Sequence, residues 1–165
     1  MKLKKNFNLF IIIFFTLYFI SGLFIYKDFG LGIEEHFQRQ NGFYWLNYLI
    51  SKSDLINFKS LVAFKYNEIL STNPDLPDSN FFNFYGIVFD LPLAFIETLL
   101  NINSSKAYFE LRHLVTFLIF FISSMFFLRI IKKRFDNNLI IFLGLILYIF
   151  SPRIFGDSFH NNKDI

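Results

Sequence analysis

The sequence predicts an all-α polytopic membrane protein with about three transmembrane helices and interfacial helices in its first outer loop. The 165 residues are 54% hydrophobic, with a mean hydropathy of +0.43. Soluble domains are usually about 45–50% apolar. The apolar residues are also clustered into long runs flanked by basic residues, as membrane topology requires. We therefore expect residues 1–165 to form a single membrane domain.

The first apolar run, residues 7–26, carries no charge and follows Lys2, Lys4 and Lys5. As a helix it spans about 30 Å, the thickness of a bilayer core. A cleaved signal peptide is the alternative. The run is longer than a usual signal h-region and no A-x-A-like cleavage site follows it. The pattern favours an uncleaved first transmembrane helix.

Residues 27–110 are expected to form a non-cytoplasmic loop with interfacial helices. Ser53 and Asp54 can cap a helix running to about Leu70, and a proline-containing loop should follow over residues 72–80. The apolar face of this helix is predicted from residues at helical spacing: Leu55, Phe58, Val62, Tyr66 and Ile69. Its charged residues should face water: Lys52, Lys59, Lys65 and Glu68.

Residues 81–100 are apolar enough to cross a membrane but contain Asp90, Pro92 and Glu97. A charge at mid-bilayer costs about 2.5–3.5 kcal/mol. A third crossing here would also place the two basic clusters, near the N-terminus and at residues 129–134, on opposite sides. We therefore predict an interfacial or re-entrant helix kinked near Pro92.

Two further spans are predicted, the second at residues 112–131 and the third at residues 137–153. Ser104 or Ser105 can cap the helix that contains the second span. A short cytoplasmic turn over residues 132–138 joins the two spans. The third contains a short uncharged run, so it must extend to Arg153, whose long side chain can reach the interface. This topology places the N-terminus in the cytoplasm.

Glu34 and Glu35 are adjacent carboxylates just beyond the first span. A carboxylate near a bilayer edge can accept a proton from an acceptor hydroxyl or bind a hard divalent cation. On a helix the two side chains point about 100° apart, so one of them is expected to enter a site. The alternative is a solvated helix start in which Glu35 and Arg39 form an ordinary i,i+4 pair.

The last segment carries a second charged group, in which His160 and Asp164 have the spacing of a helical metal-ligand pair; an exposed polar loop is the alternative reading. Arg112 and His113 lie at the outer end of the second span, where Arg can bind phosphate oxygens. The candidate substrate-binding residues are Arg112, His113, Arg153 and Lys163. The chain contains no cysteine, which excludes disulfides and thiolate metal sites. The net charge of +3 is too small to indicate nucleic-acid binding.

These features together resemble a known family. They are a first helix, an outer acidic pair, the segment 85–92 (YGIVFDLP), Leu111-Arg112 opening a helix with a basic end, and a helix closing in Ser151-Pro152-Arg153. The chain resembles the N-terminal part of the GT-C superfamily of polytopic glycosyltransferases, in particular the dolichyl-phosphate-mannose–protein mannosyltransferase-like branch. Nearly the whole chain takes part in the resemblance, which leads us to expect a fragment of a larger enzyme.

The resemblance implies transfer of a sugar from a polyprenyl-phosphate donor to a protein, lipid or glycan acceptor on the non-cytoplasmic face, as in protein glycosylation. It implies a first-loop acid as catalytic base, here Glu34 with Glu35, and a second-loop acid matched by Asp164. Glu34 and Asp164 are then the implied ligands of a divalent cation, Mg²⁺ or Mn²⁺. The usual first-loop motif is Asp-Glu, and Glu34 is one methylene longer.

A non-enzymatic membrane protein, such as a transporter fragment or an assembly subunit, is the other interpretation. Transporters keep charges near the bilayer midplane, and only Asp90 and Glu97 qualify here. The composition favours an integral protein of a bacterial inner membrane.

Overall fold

The computed structural model describes residues 2–32, 34–53, 56–72 and 85–160, with side chains from residue 6 onward. Within these residues all regular structure is helical, as the sequence predicts. The helices are α1 Lys2–Ile25, α2 Glu35–Ser51, α3 Ile56–Thr72, α4 Asp90–Leu99, α5 Ser105–Arg134, α6 Asn138–Phe150 and α7 Pro152–His160. They divide into two compact units: residues 1–31 with 110–165, here called the bundle unit, and residues 32–109, the insert unit.

Two helices are long and apolar enough to cross a membrane, α1 over Asn6–Ile25 and α5 over Ser105–Arg134. A third crossing exists if the bent pair α6 and α7 is taken as one span. The first predicted span, residues 7–26, lies in α1 apart from its last residue, Tyr26, and the second, residues 112–131, lies inside α5. Their length and apolar character indicate an integral membrane protein.

The predicted third span differs from the structure, because residues 137–153 do not form one straight helix. Helix α6 ends at Phe150, and α7 continues at an angle of 54°. Pro152 is the physical reason: proline disfavours helical backbone in the residue before it, and Ser151 is extended with a ψ of 124°. Arg153 thereby becomes part of α7.

Helices α1 and α5 of the bundle unit run antiparallel. At one end Lys27 Nζ lies 3.9 Å from Glu110 Oε2. At the other end Lys132 Nζ donates a 3.2 Å hydrogen bond to Asn8 Oδ1. The two predicted basic ends, the start of α1 and the end of α5, therefore lie together, as the positive-inside rule requires of two successive spans.

The core of the bundle unit is built from aromatic rings. Phe117 is fully buried and stacks on Phe159 at 5.2 Å between ring centroids. A Cβ atom at Gly22 would lie 2.0 Å from the Phe117 ring, so glycine lets this ring approach the α1 backbone. Phe120 of α5 and Leu145 and Ile149 of α6 are also fully buried in this core.

In the insert unit, α2 packs against both α3 and α4. The predicted apolar face of α3 is confirmed for its described residues: Val62 and Ile69 are buried, and Phe58 and Tyr66 pack against the core. The prediction that Lys65 faces water is wrong, because its side chain is 1% exposed. Leu55 and Asp54 lie outside the described residues.

Two predicted boundary signals can be compared with the structure. Ser104 Oγ accepts a 3.3 Å hydrogen bond from Ala107 N, so Ser104 caps α5 as expected. Ser53 Oγ instead donates to Ile50 O at the end of α2. The predicted loop over residues 72–80 lies outside the described residues apart from Thr72, where α3 ends.

Helix α4 has ten residues, about 15 Å, and cannot cross a bilayer core. A kink was predicted near Pro92; in the structure Pro92 is the third residue of α4, in the first turn, where a missing N–H needs no intrahelical partner. Leu93 and Ala94 face the core of the insert unit. Of the predicted segment 81–100, residues 81–84 lie outside the described part of the chain.

Candidate functional site

The predicted acidic pair opens α2, and its two carboxylates have different surroundings. Glu34 occupies the N-cap position and is exposed. Glu35 begins the helix and is 2% exposed. This follows from the 100° between successive helical side chains. Glu34 is therefore the solvent-exposed acid of the pair, and Glu35 faces inward.

Helix α2 buries an unusual number of polar side chains along its first turns. Polar groups of this kind are costly to bury unless they are hydrogen-bonded. Their exposed fractions are all between 1% and 6%: Glu35, Gln38, Arg39, Gln40 and Asn41. The helix is thus positioned by polar contacts as much as by its apolar residues Phe43 and Leu46.

The strongest of these contacts joins Arg39 of α2 to Glu97 of α4. Arg39 Nε donates to Glu97 Oε2 at 3.1 Å, and a terminal guanidinium nitrogen donates to Oε1 at 2.6 Å. The guanidinium also lies 3.5 Å from the centroid of the Tyr108 ring. The planar fork of Arg suits a carboxylate and a ring face at the same time. The partner of Arg39 is Glu97, 58 residues away, rather than the neighbour expected from i,i+4 spacing.

Lys65 of α3 completes this group, which we call the buried ion cluster: Arg39, Lys65 and Glu97. Lys65 Nζ donates to Ile102 O and, at 3.1 Å, to Asn103 Oδ1. It also lies 3.9 Å from Glu97 Oε1. Burial lowers the pKa of Lys65, and the positive charge of Arg39 acts in the same direction, whereas Glu97 opposes it. One carboxylate therefore serves two cations away from water.

We expect the stability of the insert unit to rise with pH because of Lys65. Its folded-state pKa is lowered, so the unfolded chain binds more protons below the ordinary value of 10.5. Burying the charged Lys65 side chain lowers the free energy of unfolding. This destabilisation is fully present below the folded-state pKa and is relieved as the pH rises toward 10.5. Burial raises the pKa of Tyr66, which acts in the opposite direction above its ordinary value of 10.0, so the window ends at about pH 9.5.

The measurement is urea unfolding in detergent at several pH values between 7 and 9.5, followed by the fluorescence of Trp45. This is the single tryptophan of the chain and lies in α2. In the Lys65→Met variant, the free energy of unfolding should no longer rise with pH. A wild-type slope that is unchanged in Lys65→Met would contradict the assignment.

A second polar contact joins α2 to the start of α4. Asn41 Nδ2 donates to Asp90 Oδ2 at 3.0 Å and to Gly86 O at 3.3 Å. Gly42 makes this approach possible, since a Cβ atom there would lie 2.4 Å from Asp90 O. Asp90 and Glu97, the two charged residues of the apolar segment 81–100, thus both bind side chains of α2.

In the bundle unit, Arg112 and His113 are buried, with exposed fractions of 5% and 3%. His113 Nδ1 lies 3.3 Å from Tyr26 O, just beyond the end of α1. Arg112 O accepts a hydrogen bond from Thr116 within α5. The pair therefore lies at the predicted end of the span, and His113 links α5 to α1.

Arg153 is exposed and its Nε lies 3.6 Å from Asp157 Oδ2, one turn along α7. His160 stacks against Phe29 at 6.1 Å. Lys163 and Asp164 lie outside the described residues. Asp164 belongs to both predicted metal pairs, one with Glu34 and one with His160, so both pairs include a residue outside the described part of the chain. Among the described residues no group of three or more His, Cys, Asp or Glu side chains could hold a metal ion.

The sequence did not predict the buried ion cluster. Its signals were present: Asp90 and Glu97 interrupt an apolar segment, and buried charges need partners. Lys65 also lies three residues after Val62 and four before Ile69, which places it on the buried stripe of α3. No known protein family, characterised protein or solved structure matches this chain.

Proposed function

We propose that this chain is a polytopic glycosyltransferase polypeptide of the GT-C type, acting on a polyprenyl-phosphate-linked sugar at the non-cytoplasmic face of a bacterial inner membrane. The observation that carries the proposal is the exposed acidic residue Glu34 at the start of α2, nine residues after the membrane-length helix that ends at Ile25. In this proposal the N-terminus is cytoplasmic. The antiparallel arrangement of α1 and α5 supports an even number of crossings between the basic clusters.

Glu34 has the role of general base in this mechanism. Its carboxylate removes the proton from the acceptor hydroxyl while the hydroxyl oxygen attacks the anomeric carbon, and the lipid phosphate leaves with the electrons of the broken C–O bond. The leaving phosphate is already stable, so positioning of the acceptor supplies much of the remaining acceleration. Glu35 is buried, and we assign it to positioning the start of α2.

The basic residues have separate roles on the donor side. Arg112 is the candidate ligand for the donor phosphate, because a guanidinium can donate two parallel hydrogen bonds to phosphate oxygens. His113, Arg153 and Lys163 remain its candidate companions, and the divalent cation that the resemblance implies remains the proposed cofactor. The acceptor is a hydroxyl of a protein, lipid or glycan.

The test measures transfer of radiolabelled hexose from polyprenyl-phosphate hexose in membranes containing the chain. We expect Glu34→Gln to lower the transfer rate at least 100-fold without changing membrane insertion, since the amide cannot accept the proton. Asp136→Asn is the matched control, because Asp136 is an exposed acid in the turn between α5 and α6. Full activity in Glu34→Gln, or no transfer by the wild-type chain, would sink the proposal.

The second candidate is a non-enzymatic assembly subunit. It is favoured by the buried ion cluster, in which the charges of the insert unit bind one another. A transporter is less well supported, because Asp90 and Glu97 lie in the ten-residue helix α4 and not in a membrane-length helix. Transfer that depends on Glu34 would exclude the non-enzymatic interpretation.

A further inference from the structure

A groove runs along the bundle unit between α1 and α5. Its volume is about 530 Å³, within the range of about 300–1,000 Å³ typical of small-molecule sites. One wall is formed by α1, including Ile12, Thr16 and Phe19. The other is formed by α5, including Phe121 and Met125. Thr16 Oγ1 donates to Ile12 O within its own helix, so its hydroxyl needs no partner from a ligand.

The two ends of the groove differ in chemistry. Phe19 and Phe121 form one end, and Arg129 with Lys132 forms the other. From residue 121 to residue 132 the α5 wall is about 17 Å long. A molecule that fits must therefore have a long apolar body with a negative charge at one end.

Both cations at the polar end are available to such a charge. Arg129 and Lys132 are exposed. Lys132 donates to the neutral Asn8 side chain and lies 5.6 Å from the centroid of the Phe7 ring. Within the described part of the chain neither cation lies beside a carboxylate. Their charges are thus not neutralised by any carboxylate of the described residues.

We infer that this groove binds an anionic phospholipid, with an acyl chain between α1 and α5 and its phosphate on Arg129 and Lys132. Charge complementarity decides between a lipid and another apolar helix, because a helix would leave both cations without counter-charge. The basic end is the cytoplasmic one under the positive-inside rule, and anionic lipids are concentrated in that leaflet. The inference rests on the bundle unit and is independent of the proposed transfer reaction.

The test compares binding of dioleoyl phosphatidylglycerol and dioleoyl phosphatidylcholine to the detergent-purified chain by native mass spectrometry. We expect the wild-type chain to prefer the anionic lipid by about tenfold or more, given two nearby cations. The Arg129→Gln/Lys132→Gln double variant should lose this preference. The Lys133→Gln/Arg134→Gln double variant is the matched control: it removes the same charge from the same basic cluster at positions that do not line the groove, and it should keep the preference.

A second pair of variants tests the apolar part of the groove. Thr16→Phe fills the groove and should weaken phosphatidylglycerol binding about tenfold while leaving every charge in place. Ile13→Phe adds a ring on an exposed neighbouring position that does not line the groove, and it should bind as the wild type does. Equal loss of preference in both double variants, unchanged binding in Thr16→Phe, or a dimer that phosphatidylglycerol does not dissociate would each overturn the inference.

Discussion

Glu97→Gln should destabilise the insert unit by about 3–5 kcal/mol, the usual cost of removing one partner from a buried ion pair. The change keeps the size of the side chain and one acceptor oxygen. It removes the only negative charge of the buried ion cluster and leaves Arg39 and Lys65 as two cations at low exposure. Desolvated like charges without a counter-ion raise the free energy of the folded state.

The measurement is the urea midpoint in detergent, followed by Trp45 fluorescence. Glu68→Gln is the comparison variant, because Glu68 is a half-buried acid on α3 of the same unit whose charge acts on Lys65 more weakly than that of Glu97 does. Adding Lys65→Met to Glu97→Gln should recover part of the loss, since one buried cation is then gone. Equal midpoints for Glu97→Gln and Glu68→Gln would show that the cluster does not stabilise the unit.

Gly42→Ala should destabilise the insert unit by about 1–3 kcal/mol, as overpacked cores usually do. The new methyl carbon would lie 2.4 Å from Asp90 O and 2.8 Å from Asp90 C. These are backbone atoms, so α2 and α4 must separate to relieve the clash. Separation would also lengthen the Asn41–Asp90 and Arg39–Glu97 contacts that depend on this approach.

The sign of the effect makes this experiment decisive. In an open position within a helix, glycine to alanine should stabilise by about 0.5–1 kcal/mol. Gly86→Ala is the control for a sterically open position: Gly86 lies before the start of α4, a Cβ atom there meets nothing within 4 Å, and Gly86 belongs to the same unit. Thermal unfolding monitored at Trp45 should show a lower midpoint for Gly42→Ala than for Gly86→Ala. A higher midpoint for Gly42→Ala would contradict the close packing of α2 on α4.

Much of the helical organisation could be predicted because its signals are local. The run at residues 7–26 and the cap at Ser104 depend only on neighbouring residues, and both match the structure. The apolar stripe of α3 was readable from spacing for the same reason. Pro92 and Pro152 show where prediction from local sequence fails: each lies in the first turn of a helix, α4 and α7 respectively, and not in the interior of the longer helix that was predicted.

The candidate site was less predictable, since its decisive contacts join distant parts of the chain. Glu34 and Glu35 were recognisable as a pair, but their exposure depends on how α2 packs. Lys65 looked like a solvent-facing lysine because solvation is the usual state of that side chain. The burial of Lys65 is possible because its ammonium group meets Glu97 and Ile102 O, which lie more than 30 residues later in the chain.

The helical character of this protein and its membrane-length apolar helices follow from hydropathy and helical periodicity, because both signals act over one helix at a time. Which charges are buried and which remain available depends on the tertiary structure. Electrostatic attraction becomes strong only when two charged groups come close together. Packing between helices therefore decides that Arg39 binds Glu97. It also leaves Arg129 and Lys132 available at the end of a groove.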